Sequence, residues 1–287
     1  MKTILVPTDF SDNSMHAAQY AATLARAFNA DITFVNIYTF PVVVEYEVAS
    51  NMNTDLIDMQ KIAELNLADF TNDFRSRTNF TAERISKIAE YGIVGYDIIE
   101  KAESIKADMI VMGTKGAHNF LERWLGTNAQ KIVKSAHCPV WIIPEGCKLE
   151  YPQNILYAAD FKEDESLAIS LLLDIANPLG ATCKVVHVHE YFEPNVGHAI
   201  EATIGRLEDE FEDENITFKN IDREDVVEGL EKYIEGYNPD VLAFAIHEKS
   251  FLERIFEIST TNHFVQEAKW PILTFPKLNG ATKLTTI

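Results

Sequence analysis

The sequence predicts an α/β protein built from two tandem open parallel sheets, each with helices on both faces. Three observations predict it. Short apolar runs of strand length alternate with stretches whose apolar residues recur at helical spacing, as parallel sheets require. The same series of runs occurs twice, on either side of a short polar stretch from Gly146 to Gln153. In the first series, the fourth run, Met109-Ile110-Val111-Met112, passes into Gly113 and Gly116 and, nine residues on, into Gly126-Thr127-Asn128 at the start of a helical pattern.

Taken in order, Ile4-Leu5-Val6 is the first strand, stopped by Pro7 and followed by Thr8, Asp9, Phe10 and Ser11. Ser11 or Asn13 caps a helix whose face is Ala17, Ala18, Ala21, Ala22, Leu24, Ala25 and Phe28. Asn29-Ala30 ends it, and Ile32 to Tyr38 is the second strand. Phe40 to Asn51, around Pro41, reads as a loop, and a long helix is expected from about Asp55 to Ser76. The third strand is expected near Ala82 to Ala89, a helix from about Gly95 to Ile105 with Ile98, Ile99 and Ala102 on one side, and the fourth strand over Met109–Met112. A helix from Asn128 to Ser135 then leads through Cys138 to a fifth strand within Pro139–Pro144.

The second series matches the first piece by piece. Asn154 to Phe161 answers Lys2 to Phe10, Gly180 to Val188 answers Asn29 to Ile37, Asn238 to Phe244 answers Lys106 to Met112, and Trp270 to Pro276 answers Cys138 to Pro144. Phe251-Leu252-Glu253-Arg254 repeats Phe120-Leu121-Glu122-Arg123 letter for letter. The domains expected are therefore 1–147 and 148–287, the second with a shorter middle. It departs from the first at the glycines. Ala245 stands for Gly113, His247 or Glu248 for Gly116, and roughly Ile258-Ser259-Thr260 for Gly126-Thr127-Asn128, whereas Asp160 keeps the place of Asp9.

Composition narrows the function. The apolar fraction of 47% is that of a globular protein, and no apolar run approaches the roughly 20 residues of a membrane span. The beginning of the chain runs straight into a strand without a signal-peptide pattern. Cys138, Cys147 and Cys183 are odd in number and lack metal-like spacing, so they read as reduced thiols of a cytoplasmic protein. A net charge of −19 disfavours nucleic acid. Residues 1–147 carry 13 basic and 18 acidic side chains, net −5; residues 148–287 carry 12 and 26, net −14. An anionic ligand therefore belongs with the first half.

The glycine stretch reads in two ways. It can be a phosphate cradle: a glycine turn that lets a ligand approach, then a helix start with Thr127 or Asn128 as N-cap, whose amides and dipole attract an anion. It can also be two ordinary turns around a strand-to-helix connection. Both Asp9 and this stretch lie at strand C-termini, where ligands of parallel sheets sit.

Together these residues resemble the universal stress protein family, here as two domains of that Rossmann-like type in one polypeptide. The resemblance covers nearly the whole chain. It rests on Val6-Pro7-Thr8-Asp9-Phe10-Ser11, on Ala107 to Gly116, on the nine-residue gap to Gly126-Thr127-Asn128, and on Cys138-Pro139-Val140-Trp141-Ile142-Ile143. ATP-binding members carry Gly-x-x-Gly, nine residues, then Gly-Ser/Thr, and the first half matches that pattern in full. The resemblance implies ATP or another adenine nucleotide, with or without Mg²⁺, in the first domain. It places Asp9 and the backbone of Ile37 near adenine and ribose, with Pro7 and Thr8 beside them. Met112, Gly113, Thr114, Lys115 and Gly116 follow along the ribose and phosphates, and Gly126, Thr127 and Asn128 hold the phosphates. It further implies an intramolecular pseudo-dimer through Val140–Ile143 and Ile272–Phe275, and leaves room for a further homodimer or a protein partner.

Other candidates carry plainer readings beside functional ones. Asp9 is a ligand contact or a helix-start residue favoured by the dipole; Lys115 is a phosphate contact or a solvated lysine. His187 and His189 alternate on one strand and so face one side; with His247 and His263 they form a metal site or, as the better reading, core and edge histidines. Glu208 to Glu214 reads as the solvated face of a helix, alternatively as a contact for a basic partner. The functions in play are a nucleotide-binding stress-response regulator, a slow ATP hydrolase, and a scaffold whose acidic second half docks a partner. A hydrolase needs charge neutralisation and a positioned water, and the stretch lacks the Gly-Lys-Ser/Thr of a P-loop. A dinucleotide dehydrogenase is disfavoured, because Pro7-Thr8-Asp9 occupies the place of its glycines.

Overall fold

The computed structural model describes residues 2–39, 52–114, 126–161, 165–190, 194–246 and 270–277. They divide into two compact units, Met1–Leu149 and Glu150–Ile287. In the first unit the elements are β1 (Lys2–Pro7), α1 (Asp12–Phe28), β2 (Ala30–Tyr38), α2 (Met52–Thr78), β3 (Ile85–Tyr91), α3 (Val94–Ser104), β4 (Met109–Gly113), α4 (Thr127–Ser135) and β5 (Val140–Ile143). The sheet runs β3-β2-β1-β4-β5, and its strands pair in parallel, with Pro7 beside Val35 and Leu5 beside Ile110. The chain reverses direction across the sheet at β1 and β4, so their C-terminal ends open a crevice.

Each element follows from its residues. β1, β4 and β5 are apolar almost throughout because helices cover both faces. β3, at the edge, is half-exposed and mixes Ser, Lys and Glu with its apolar residues. α1 presents Ala17, Ala18, Ala21, Ala22 and Ala25 completely buried, and these small side chains bring it close to β4 and β1. Ser11 caps it by accepting from Ser14 N–H at 3.2 Å, and Asn29 ends it in the left-handed conformation at φ 50°. Phe34 lies between Phe70 and Phe74, its ring edge-on to both at 5.4 and 5.0 Å. At the far end of the sheet from the crevice, Asp108 closes the start of β4 onto β1: Thr3 N–H donates to its carboxylate at 2.7 Å, and its own N–H donates to Thr3 O at 2.9 Å.

The second unit repeats the topology. Its elements are β6 (Asn154–Ala159), α5 (Ser166–Leu179), β7 (Thr182–Glu190), α6 (Pro194–Glu210), β8 (Ile216–Arg223), α7 (Val226–Tyr237), β9 (Val241–Ala245) and β10 (Ile272–Phe275). The strands run β10-β9-β6-β7-β8, all parallel. Asp240 repeats the role of Asp108: Asn154 N–H donates to its carboxylate at 2.9 Å and its N–H donates to Asn154 O at 2.9 Å. α6 has 17 residues against 27 in α2, which accounts for the shorter middle.

Three expectations need correction. Residues Ala82–Arg84 form a 3₁₀ turn rather than strand, because Arg84 is drawn to Asp31 Oδ1 at 2.9 Å and to Ala30 O at 2.6 Å, so the chain enters the sheet only at Ile85. The N-cap of α4 is Gly126, not Thr127 or Asn128. The acidic run from Glu208 lies on a helix only as far as Glu210; beyond it the chain turns towards β8, with Glu208, Glu212 and Glu214 exposed. The loop expected over Phe40–Asn51, the Phe120–Arg123 and Phe251–Arg254 repeat, Glu248, and Ile258-Ser259-Thr260 lie outside the described residues. No helix among the described residues is long and apolar enough to cross a membrane.

Candidate functional site

The C-terminal ends of β1, β2 and β4 and the start of α4 surround a cavity of about 380 Å³, within the size range of small-molecule sites. The structure brings together ten of the residues singled out in the sequence: Pro7, Thr8 and Asp9 from the end of β1, Ile37 from β2, Met112, Gly113 and Thr114 from β4, and Gly126, Thr127 and Asn128 at the head of α4. Lys115 and Gly116 lie outside the described residues. Further lining residues escaped the sequence reading, among them Ser14, Asn36, Val94, Ile98 and Ile132. Ile98 and Ile132 are buried residues of α3 and α4, and with Val94 they make one wall of the cavity apolar.

The floor is a neutral hydrogen-bonded network. Thr8 N–H donates to Val35 O at 2.9 Å. Asn36 Nδ2 donates to Thr8 O at 2.8 Å. Ser14 Oγ donates to Ser11 O at 2.9 Å, so the 2.9 Å contact between Thr8 Oγ1 and Ser14 Oγ is made by the threonine hydrogen. Asp9, exposed at the rim, accepts from both Ser11 N–H at 3.1 Å and Ser11 Oγ–H at 2.6 Å through Oδ1. It therefore serves the helix start and lines the cavity at once. Phe10 follows at φ 66°, a left-handed conformation that a bulky side chain adopts only at a cost of about 1–3 kcal/mol. Its N–H is held by Thr8 Oγ1 at 3.0 Å, and its ring meets Phe70 edge-on at 6.0 Å.

The two described glycines of the stretch have different reasons. Neither has a positive φ, so conformational freedom explains neither. At Gly113 a Cβ would lie 2.9 Å from Asn13 Nδ2 and 3.2 Å from Asn13 O: the first turn of α1 passes over β4 too closely for a side chain. At Gly126 the backbone is extended, φ −63° and ψ 157°, and a Cβ would have nothing nearer than Thr114 O at 4.0 Å. Nothing in the surrounding described chain requires glycine there. Its N–H donates to Thr114 O at 3.2 Å, tying the head of α4 to the end of β4. With no side chain at the cap, the first-turn amides of α4 remain available beside the cavity. Asp9 is the one carboxyl side chain among the described lining residues.

In the second unit, His187 and His189 share one face, their rings stacked at 6.0 Å. His187 Nδ1 bonds to Ala159 O at 2.9 Å, and His189 lies 2.9 Å from Asp222 Oδ1 and 3.1 Å from Asn220 Oδ1. Among the described residues no three side chains gather as a metal site; His247 and His263 lie outside them. The three thiols are buried, and burial pushes each up to about 12, the opposite of a reactive cysteine.

The universal stress protein family model matches this chain twice, over residues 1–144 and 152–276. A universal stress protein of Methanocaldococcus jannaschii is 31% identical over 153 residues, covering 50% of this chain and 81% of that protein. Universal stress protein A homolog 1 of Coxiella burnetii is 28% identical over 142 residues, covering 48% of this chain and 93% of its own length. The crystal structure of a universal stress protein from Archaeoglobus fulgidus shares the fold over 96% of both chains, with a TM-score of 0.66 and 17% identity.

Proposed function

Since this chain belongs to the universal stress protein family and carries two copies of its domain, we propose that it is a stress-response regulator whose first unit binds an adenine nucleotide, ATP, in the cavity above β1 and β4. The observation that carries this is Gly126. Its backbone is ordinary, no described residue comes nearer than 4.0 Å to where its side chain would begin, and it stands at the uncapped head of a helix, which suits the close approach of a ligand. Phosphate oxygens suit that place, because they accept from the first-turn amides and meet the positive end of the helix dipole. The apolar wall of Val94, Ile98 and Ile132 suits the flat, largely apolar base. Asp9 supplies a carboxylate for Mg²⁺, which otherwise takes its ligands from phosphate and water.

Binding, rather than turnover, is the function proposed. No Lys, Arg or His stands among the described lining residues to neutralise charge on a transferring phosphoryl group. The second unit has Ala245 for Gly113 and an acidic composition, and does not bind nucleotide in this way. Calorimetric titration of ATP, with and without Mg²⁺, into the full chain and into Gly126→Glu tests both statements. One site per chain is expected, lost in the variant, whose backbone at φ −63° and ψ 157° is one that any residue adopts. Absence of heat and of a thermal shift in the unsubstituted chain refutes the proposal; two sites refute the asymmetry.

A further inference from the structure

The second unit places different chemistry on the same backbone. Ala158 pairs with Val186 as Pro7 pairs with Val35, so His187 stands where Asn36 stands in the first unit. Ala159 stands for Thr8, and Glu165 follows Asp160 by five residues as Ser14 follows Asp9. The equivalence extends to a hydrogen bond: His187 Nδ1 bonds to Ala159 O at 2.9 Å as Asn36 Nδ2 donates to Thr8 O at 2.8 Å. It extends also to the backbone, because Phe161 is left-handed at φ 50° as Phe10 is at 66°.

The neutral network of the first unit has become an ionisable one. A carbonyl oxygen only accepts, so His187 Nδ1 carries the hydrogen. Burial holds the ring below its usual range, and at neutral pH it is uncharged. Nε2 is then a bare lone pair on the other side of the ring, in a side chain only 6% exposed, and it has no hydrogen-bond partner among the described residues. Unfilled acceptors buried to this degree are rare and call for an explanation. Two carboxyl groups stand near the ring and add negative potential to it, Asp160 and Glu165. Glu165 is 2% exposed and accepts the hydroxyl hydrogen of the fully buried Tyr157. Phe161 covers the imidazole at 5.1 Å between ring centres, and His189 stacks on it at 6.0 Å.

We propose that this site in the second unit binds a small organic ammonium ion, whose N–H donates to His187 Nε2 and whose charge lies in the negative field of Asp160 and Glu165. An imidazole lone pair in a negative field accepts hydrogens and rejects phosphate, and the aromatic rings of Phe161 and His189 suit the alkyl part of such a cation. A metal ion fits less well, because no three ligating side chains come together among the described residues.

The test uses the full chain and three probes: ethylammonium, ethanolamine and putrescine, titrated calorimetrically at neutral pH and low salt. At least one is expected to bind at a single site. His187→Asn keeps the donor to Ala159 in the manner of Asn36 while removing the lone pair; it should weaken that binding by roughly tenfold or more, the worth of one buried hydrogen bond. Glu165→Gln, which keeps the shape and removes the charge, should weaken it as well. ATP titration of His187→Asn should be unchanged, which separates this site from the first. Nitrogen NMR of the histidines should show His187 protonated at Nδ1, with its Nε2 signal moving on addition of the bound probe. Binding of none of the three, equal binding by His187→Asn, or a ring protonated at Nε2 overturns the proposal and leaves the lone pair to ordinary water.

Discussion

Replacing Gly113 and Gly126 separately by alanine separates two reasons for a glycine. In Gly113→Ala the new methyl lies 2.9 Å from Asn13 Nδ2 and 3.2 Å from Asn13 O. The amide can rotate away, but the carbonyl belongs to the first turn of α1, whose first residues are fixed by Ser11 Oγ accepting from Ser14 N–H at 3.2 Å. Relief therefore means shifting α1 relative to β4. Overpacking of this kind costs about 1–3 kcal/mol, or roughly 2–4 °C of melting temperature per kcal/mol in a unit of this size. In Gly126→Ala the methyl meets no described atom nearer than Thr114 O at 4.0 Å, on a backbone that alanine adopts freely. Removing glycine's freedom from the unfolded chain then stabilises by about 0.4–1 kcal/mol. The two variants should thus move in opposite directions in the absence of ligand. Scanning calorimetry of the full chain is the suitable assay, since two units need not unfold as one; the transition of the first unit is the one expected to move. If Gly126→Ala lowers stability as much as Gly113→Ala does, the protein itself requires that glycine, and the inference of a ligand from the empty space fails.

Two further predictions concern titration and thiol chemistry. Burial holds both His16 and His187 below their usual range, so the unfolded chain takes up protons that the folded chain refuses. Stability is then full above the unfolded histidine value of about 6.5 and falls as pH drops below it towards the folded values, by at most about 1.4 kcal/mol per pH unit for each histidine. Urea titrations between pH 7.5 and 5 should show that slope, reduced in His16→Gln and in His187→Asn; a flat profile contradicts it. The thiols of Cys138, Cys147 and Cys183, pushed up to about 12, should resist iodoacetamide at pH 8 in the folded protein and react within minutes once urea exposes them. Rapid labelling of the native chain, read by mass spectrometry, would show that the thiols are open to solvent.

Much of the fold was legible because buried parallel strands leave unbroken apolar runs, and because the chain writes them twice. The alanine face of α1 and the Asn29 stop follow from spacing and turn chemistry. The boundary of β3 was not legible, since its start is set by Arg84 reaching Asp31, a contact across 53 residues. The glycine stretch was visible as a pattern, but its reasons were not: nothing in the letters shows that α1 crowds Gly113 while no described residue crowds Gly126. Ser14 and Asn36 were missed because their roles come from where β2 and α1 meet the end of β1. Ile98 was read as one face of a helix, and only the packing turns that face into a cavity wall.

The left-handed phenylalanines bear on how this chain can be altered. Both copies hold a bulky residue, Phe10 and Phe161, in a conformation that glycine would adopt without penalty. The second copy has replaced Gly113 by Ala245 but has kept this turn and the hydrogen bond beside it. Scaffold and lining are thus separable, the rim being held constant while the groups standing on it vary. Three positions account for the difference in polarity, Thr8, Ser14 and Asn36 in one copy against Ala159, Glu165 and His187 in the other. A single polypeptide carries in this way one turn geometry twice, with a different set of side chains on each copy.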